Sequence, residues 1–148
     1  EYMLLEALYY KETKRSLDED FIHVIPVGGT SFKRYMELAN KLGVRVAVIR
    51  DNDGDYQTNC IDRYQEWVSG HVQVFSDKDE SRYTFEVCIY EDNESVCNEL
   101  FSGGGITKKP LDFMLDNKAE SAFRLVDKHA QELCVPGYIK QAFEWINE

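Results

Sequence analysis

Apolar and polar positions follow two periods along this chain, and the switches between them mark out helices and strands. Leu4, Leu5, Leu8 and Tyr9 recur at helical spacing, which predicts a helix over the first dozen residues. Ser16 to Asp20 is polar and reads as a connection. Phe21 to Val27 reads as a short strand, followed by Gly28-Gly29 and by Thr30 and Ser31 as capping candidates. Phe32, Tyr35, Met36, Ala39 and Leu42 form one face of a second helix, which Gly43 should stop. Val44 to Arg50 is a nearly unbroken β-branched run, as expected of a strand covered on both faces. A helix is predicted over Asn59 to Val68, then a short strand at Val72 to Phe75 and a charged turn at Ser76 to Ser81. Tyr83 to Ile89 alternates with period two, although a helix can take over near Glu86. Gly103-Gly104-Gly105 breaks the chain, and Pro110 suits the first turn of a long helix reaching about Glu132. Val135-Pro136-Gly137 separates a last helix from Tyr138 to Asn147. Strands alternating with helices predict an α/β domain with a mainly parallel sheet and a helical C-terminal part over 110–148.

A length of 148 residues suits one domain with a sizeable core, and 43% hydrophobic residues make it globular. The formal charge of −10 argues against a free-standing nucleic-acid binder, which would show a basic face. Such a partner then requires bound metal or other segments to supply positive charge. The four cysteines are scattered with no C-x-x-C pair, which reads as reduced thiols and a cytoplasmic location. No stretch approaches the roughly 20 apolar residues of a membrane span, and no signal peptide is visible. The chain opens at Glu1 directly into a periodic segment, so it is expected to be a fragment of something longer.

The β-branched run ends in Asp51-Asn52-Asp53-Gly54-Asp55, three carboxylates within five residues. Ligands in open α/β sheets bind beyond the carboxyl ends of the strands. Acids crowded there repel one another unless a cation sits among them, and oxygen donors favour Mg²⁺ or Mn²⁺. The one-three-five spacing also resembles an EF-hand loop, but Tyr56 stands where that loop needs glycine. A haloacid dehalogenase-like phosphatase, with Asp51 as nucleophile, is a second reading, and a solvated acidic turn a third. Lys118 falls within the apolar stripe of Leu111, Met114, Leu115, Ala122, Leu125 and Val126. A lysine there either meets an anion or snorkels to water. Thr84 and Glu86 point the same way if their segment is extended. His129 reads as a core or edge histidine, and His23 and His71 lack partners at metal-ligand spacing.

These elements in this order resemble the Toprim (Rossmann-like) catalytic domain, and more narrowly the nuclease domain of the OLD (overcoming lysogenization defect) family of ATP-dependent endonucleases. The resemblance is carried by Glu1-Tyr2-Met3-Leu4-Leu5, Val24-Ile25-Pro26-Val27-Gly28-Gly29, Val48-Ile49-Arg50-Asp51-Asn52-Asp53, Thr84-Phe85-Glu86 and Asn117-Lys118-Ala119-Glu120. It implies one Toprim domain over 1–148 whose first strand, with its Glu-Gly motif, is missing. Glu1 matches the second acid of that motif, and Asp51 and Asp53 match the Asp-x-Asp element, with Asp55 as a further candidate. Thr84 and Glu86 match the hydroxyl-x-Glu element that helps hold a second metal, and Lys118 the lysine near the scissile phosphate. The implied activity is two-metal hydrolysis of DNA phosphodiesters using Mg²⁺ or Mn²⁺, with these groups converging at one sheet rim. Relatives of this kind carry an N-terminal ATPase domain through which ATP acts, form homo-oligomers and serve in anti-phage defence. A non-catalytic Toprim module for assembly or DNA binding is the non-enzymatic alternative.

Overall fold

The computed structural model describes residues 2–29 and 31–148. Glu1 and Thr30, singled out above as a metal ligand and a cap, lie outside the described residues. In chain order the elements are α1 (Tyr2–Thr13), a 3₁₀ turn (Asp18–Asp20), α2 (Phe32–Leu42), β1 (Val46–Ile49), a π-helical turn (Gln57–Asp62) and β2 (Val72–Phe75). They are followed by α3 (Phe85–Asp92), α4 (Glu94–Leu100), α5 (Pro110–Asp116), α6 (Lys118–His129) and α7 (Gly137–Asn147). The chain divides into two compact units, Glu1–Val24 with Phe85–Pro136, and Ile25–Thr84 with Gly137–Glu148.

The second unit is α/β. Its two strands pair in parallel, with Val46 opposite Val72, Val48 opposite Val74 and Ile49 opposite Phe75. A parallel pair needs a crossover, and the π-helical turn with the residues up to Val72 supplies it. Side chains alternate between the faces of a strand. One face therefore presents Val46, Val48, Val72 and Val74, which pack with Met36 and Ala39 of α2 and with Tyr64. The other face presents Phe75 to Trp145 of α7, ring centroids 5.9 Å apart. Arg45 fastens α7 by donating from Nη1 to the Trp145 carbonyl at 2.7 Å. Both faces are thus covered, as the β-branched run predicts. Only Val48 of β1 is fully buried, because each strand has a sheet neighbour on one side among the described residues. Gly43 ends α2 in the left-handed conformation, at φ 65°, and its N–H bonds the Ala39 carbonyl. Ser31 occupies the N-cap of α2 without a side-chain capping bond.

The first unit is helical. Helix α1 packs on α6, α3 on α4 and α5, and α6 on α4 and α5. Leu4, Leu8, Tyr9, Ile89, Cys97, Phe101, Met114, Leu125 and Leu133 are essentially inaccessible to solvent. Each such burial contributes about 1.5–3 kcal/mol for a large aliphatic or aromatic side chain. Asn93 ties the unit together: its Nδ2 donates to the Ile89 and Cys134 carbonyls, and its Oδ1 accepts the Cys134 N–H.

Four expectations need correction. Phe21 to Val27 is not a strand: Phe21 turns left-handed at φ 55°, Pro26 offers no N–H, and no described strand pairs with it. Tyr83 to Ile89 is not extended, because α3 begins at Phe85 and buries five successive residues, Phe85 to Ile89. A segment buried all round satisfies its backbone internally as a helix. The helix from Pro110 is broken at Asn117, at φ −130°, so Lys118 opens α6 instead of sitting mid-stripe. The expected helix from Asn59 to Val68 is a π-helical turn over Gln57–Asp62 followed by turns.

Candidate functional site

The acidic turn leaves the carboxyl end of β1 and is held from below by Arg50. That side chain donates from Nε to the Asp51 carbonyl at 2.7 Å, from Nη1 to the Tyr64 hydroxyl at 3.0 Å and from Nη2 to Asp53 Oδ2 at 2.6 Å. Its backbone N–H bonds the Phe75 carbonyl of β2 at 3.1 Å, which fixes the register of the two strand ends. Asn52, 1% exposed, holds the turn from the side. Its Nδ2 donates to the carbonyls of Asp77 and Asp79, at 3.0 and 2.9 Å, and its Oδ1 accepts the Gly54 N–H at 2.8 Å. The Asp53 N–H bonds the Tyr83 carbonyl at 3.1 Å. The turn and the loop over 77–83 are therefore bonded along their length.

Asp53 adopts φ 53° and Gly54 φ 79°. A left-handed backbone is costly for most residues but tolerated by aspartate and asparagine. Asp55 supports the backbone that follows it, since its Oδ1 accepts the Thr58 N–H at 2.9 Å at the start of the π-helical turn. The Thr58 hydrogen bonds hold the Asp55 carboxyl below the usual carboxylate range. Helical turns of the π type are rare and concentrate at functional positions. Cys60, beneath the turn, faces the Asp51 carbonyl with Sγ at 3.8 Å, and burial pushes its thiol up.

Glu86 and Lys118 belong to the first unit. Glu86 is 5% exposed near the start of α3, and its Oε2 accepts from Lys118 Nζ at 2.8 Å. The lysine side chain is half exposed. A cation at a helix N-terminus opposes the helix dipole, and the Glu86 carboxylate offsets that cost. The pair lines a shallow apolar hollow with Leu4, Phe85, Ile89, Met114 and Leu125. Lys118 therefore meets an anion and also reaches water, combining the two readings of it. Thr84 lies immediately before α3 in the second unit.

Among the described residues, no three His, Cys, Asp or Glu side chains gather as a ready-made metal cluster. Asp51 and Asp53 carry carboxylate oxygens, the donor type that Mg²⁺ and Mn²⁺ favour. Sequence reasoning missed Arg50, Asn52 and Tyr64. A cation immediately before the acidic run was the signal available for Arg50.

A mixed α/β unit whose small parallel sheet ends in an ordered Asp-x-Asp turn is consistent with a Rossmann-like fold that carries acids at the carboxyl end of its strands. Residues 1–53 are similar to the family model described as Overcoming lysogenization defect protein-like, TOPRIM domain. The matched stretch ends at Asp53, so Asp51 and Asp53 lie inside it and Asp55, Thr84, Glu86 and Lys118 beyond it. No curated protein and no solved structure gives a match. That likeness suggests a nuclease-type or metal-binding function. No helix among the described residues is long and apolar enough to cross a membrane.

Proposed function

We propose that this chain carries catalytic residues of a Mg²⁺- or Mn²⁺-dependent DNA endonuclease that hydrolyses phosphodiester bonds. The observation that supports it most is the Asp51-x-Asp53 turn at the end of β1, immobilised by Arg50 and Asn52 within the stretch that matches the Toprim family. Asp51 and Asp53 are the proposed carboxylate ligands. A divalent ion bound there supplies Lewis acidity toward a phosphodiester oxygen and lowers the pKa of bound water. Thr84 and Glu86 are the proposed donors toward a second ion. The half-exposed Lys118 ammonium is suited to offset charge developing on a phosphate oxygen. With a chain charge of −10, grip on DNA falls to basic segments elsewhere in the parent protein or its oligomer. ATP would act through a separate domain, and a role in phage defence follows from family analogy.

Plasmid nicking by the intact protein in Mg²⁺ or Mn²⁺ is the test. Asp51→Ala and Asp53→Asn are each expected to reduce cutting at least a hundredfold, whereas Lys118→Met slows cutting and leaves Mn²⁺ affinity within about twofold. Undiminished cutting by both aspartate variants rejects the assignment. Turnover of small phosphomonoesters with a trappable aspartyl-phosphate supports the phosphatase instead. An absence of divalent-ion binding at millimolar Mn²⁺ leaves an assembly module.

A further inference from the structure

We propose that Arg50 is a built-in counter-ion of the acidic turn, holding Asp53 in place in the cation-free protein and competing with a divalent ion for that carboxylate. The proposal rests on the reading of Asp51 and Asp53 as cation ligands. The Arg50 side chain is 5% exposed and Asp53 is 58% exposed, so the two partners differ in freedom. The guanidinium is tethered at Nε, Nη1 and Nη2, with Cζ 5.7 Å from the centre of the Tyr64 ring. A buried charge is costly without its partner, so the arginine stays and the solvent-facing carboxylate is the mobile member.

Two consequences follow from Coulomb's law. The guanidinium offsets repulsion among Asp51, Asp53 and Asp55, so the turn is ordered before any ion arrives. The same fixed charge also repels an incoming cation and engages Asp53 Oδ2, which lowers the affinity of the site. Phosphate brings negative charge and further oxygen donors, so cation and substrate are retained together better than the cation alone. Arg50 is therefore a positioning residue that sets cation affinity.

Calorimetric titration of Mn²⁺ into the intact protein without DNA tests this. Arg50→Met is expected to bind Mn²⁺ about tenfold more tightly than wild type, with a lower Tm in chelator and a larger Tm rise on adding Mn²⁺. Arg50→Lys keeps the charge but loses the three-point fork, and should fall between wild type and Arg50→Met. Tyr64→Phe, which removes one tether and preserves the ring, should shift affinity in the same direction by a smaller factor. Unchanged or weaker binding in Arg50→Met and Tyr64→Phe, with wild type binding normally, overturns the counter-ion role and leaves the nuclease reading standing. Failure of wild type and every variant to bind overturns both.

Discussion

Asn52 occupies the variable place of the Asp-x-Asp element, yet its side chain is the most connected in the turn. Asn52→Ala leaves the Asp77 and Asp79 carbonyls and the Gly54 N–H without their partner, in a position 1% exposed. A loss of about 2–3 kcal/mol in unfolding free energy is expected, read from denaturant midpoints. Asp51 and Asp53 could be picked out because short-range spacing after a β-branched run carries their signal. Asn52 could not, because its acceptors lie 25 and 27 residues further along the chain, beyond any local period. Lys118 was legible as an unusual lysine, but its partner Glu86, 32 residues away, was not identified as such. At position 53 asparagine tolerates the left-handed backbone at φ 53°, so Asp53→Asn removes the charge without adding backbone strain.

Elements with a strong single period were readable. Helices α1, α2 and α7 and strands β1 and β2 fall where the spacing of apolar residues puts them. The misreadings share a physical origin, because local pattern does not reveal what will cover a segment. Phe21 to Val27 has strand composition and no described partner strand. Phe85 to Ile89 alternates in sequence but is surrounded on every side. The break at Asn117 interrupts an apolar stripe that is continuous on paper. Asp55 shows the same dependence on partners, since its short-range capping bond competes with the metal reading of its carboxylate. Asp55→Ala should lower Tm by about 2–5 °C while leaving Mn²⁺ affinity close to wild type; a large fall in affinity would make Asp55 a ligand as well. Hydrogen bonds from Thr58 hold Asp55 below the usual carboxylate range; serine bonds do so for Asp79, and the Tyr9 hydroxyl and Arg15 for Asp20. A depressed folded value stabilises above the unfolded value and is lost as pH falls through the folded one. Denaturant midpoints should therefore be level above about pH 5 and decline on acidification below about pH 4.

Across the whole molecule the thiols report how the chain is packed. Cys60, Cys88 and Cys97 are buried and Cys134 is exposed, and burial pushes the Cys97 thiol up to about 12. Under native conditions a thiol reagent is expected to label one site quickly, and four after denaturation; mass spectrometry of labelled peptides should place the fast site at Cys134. Rapid labelling of Cys60 would instead indicate that the floor of the acidic turn opens readily. The second unit combines Ile25–Thr84 with Gly137–Glu148, and α7 covers the Phe75 face of the two strands. During synthesis on the ribosome, β1, β2 and the acidic turn emerge long before the helix that closes over them. The half-built sheet must wait, with one oily side uncovered, while the intervening polypeptide is translated, so chaperone contact in cells should concentrate in that interval.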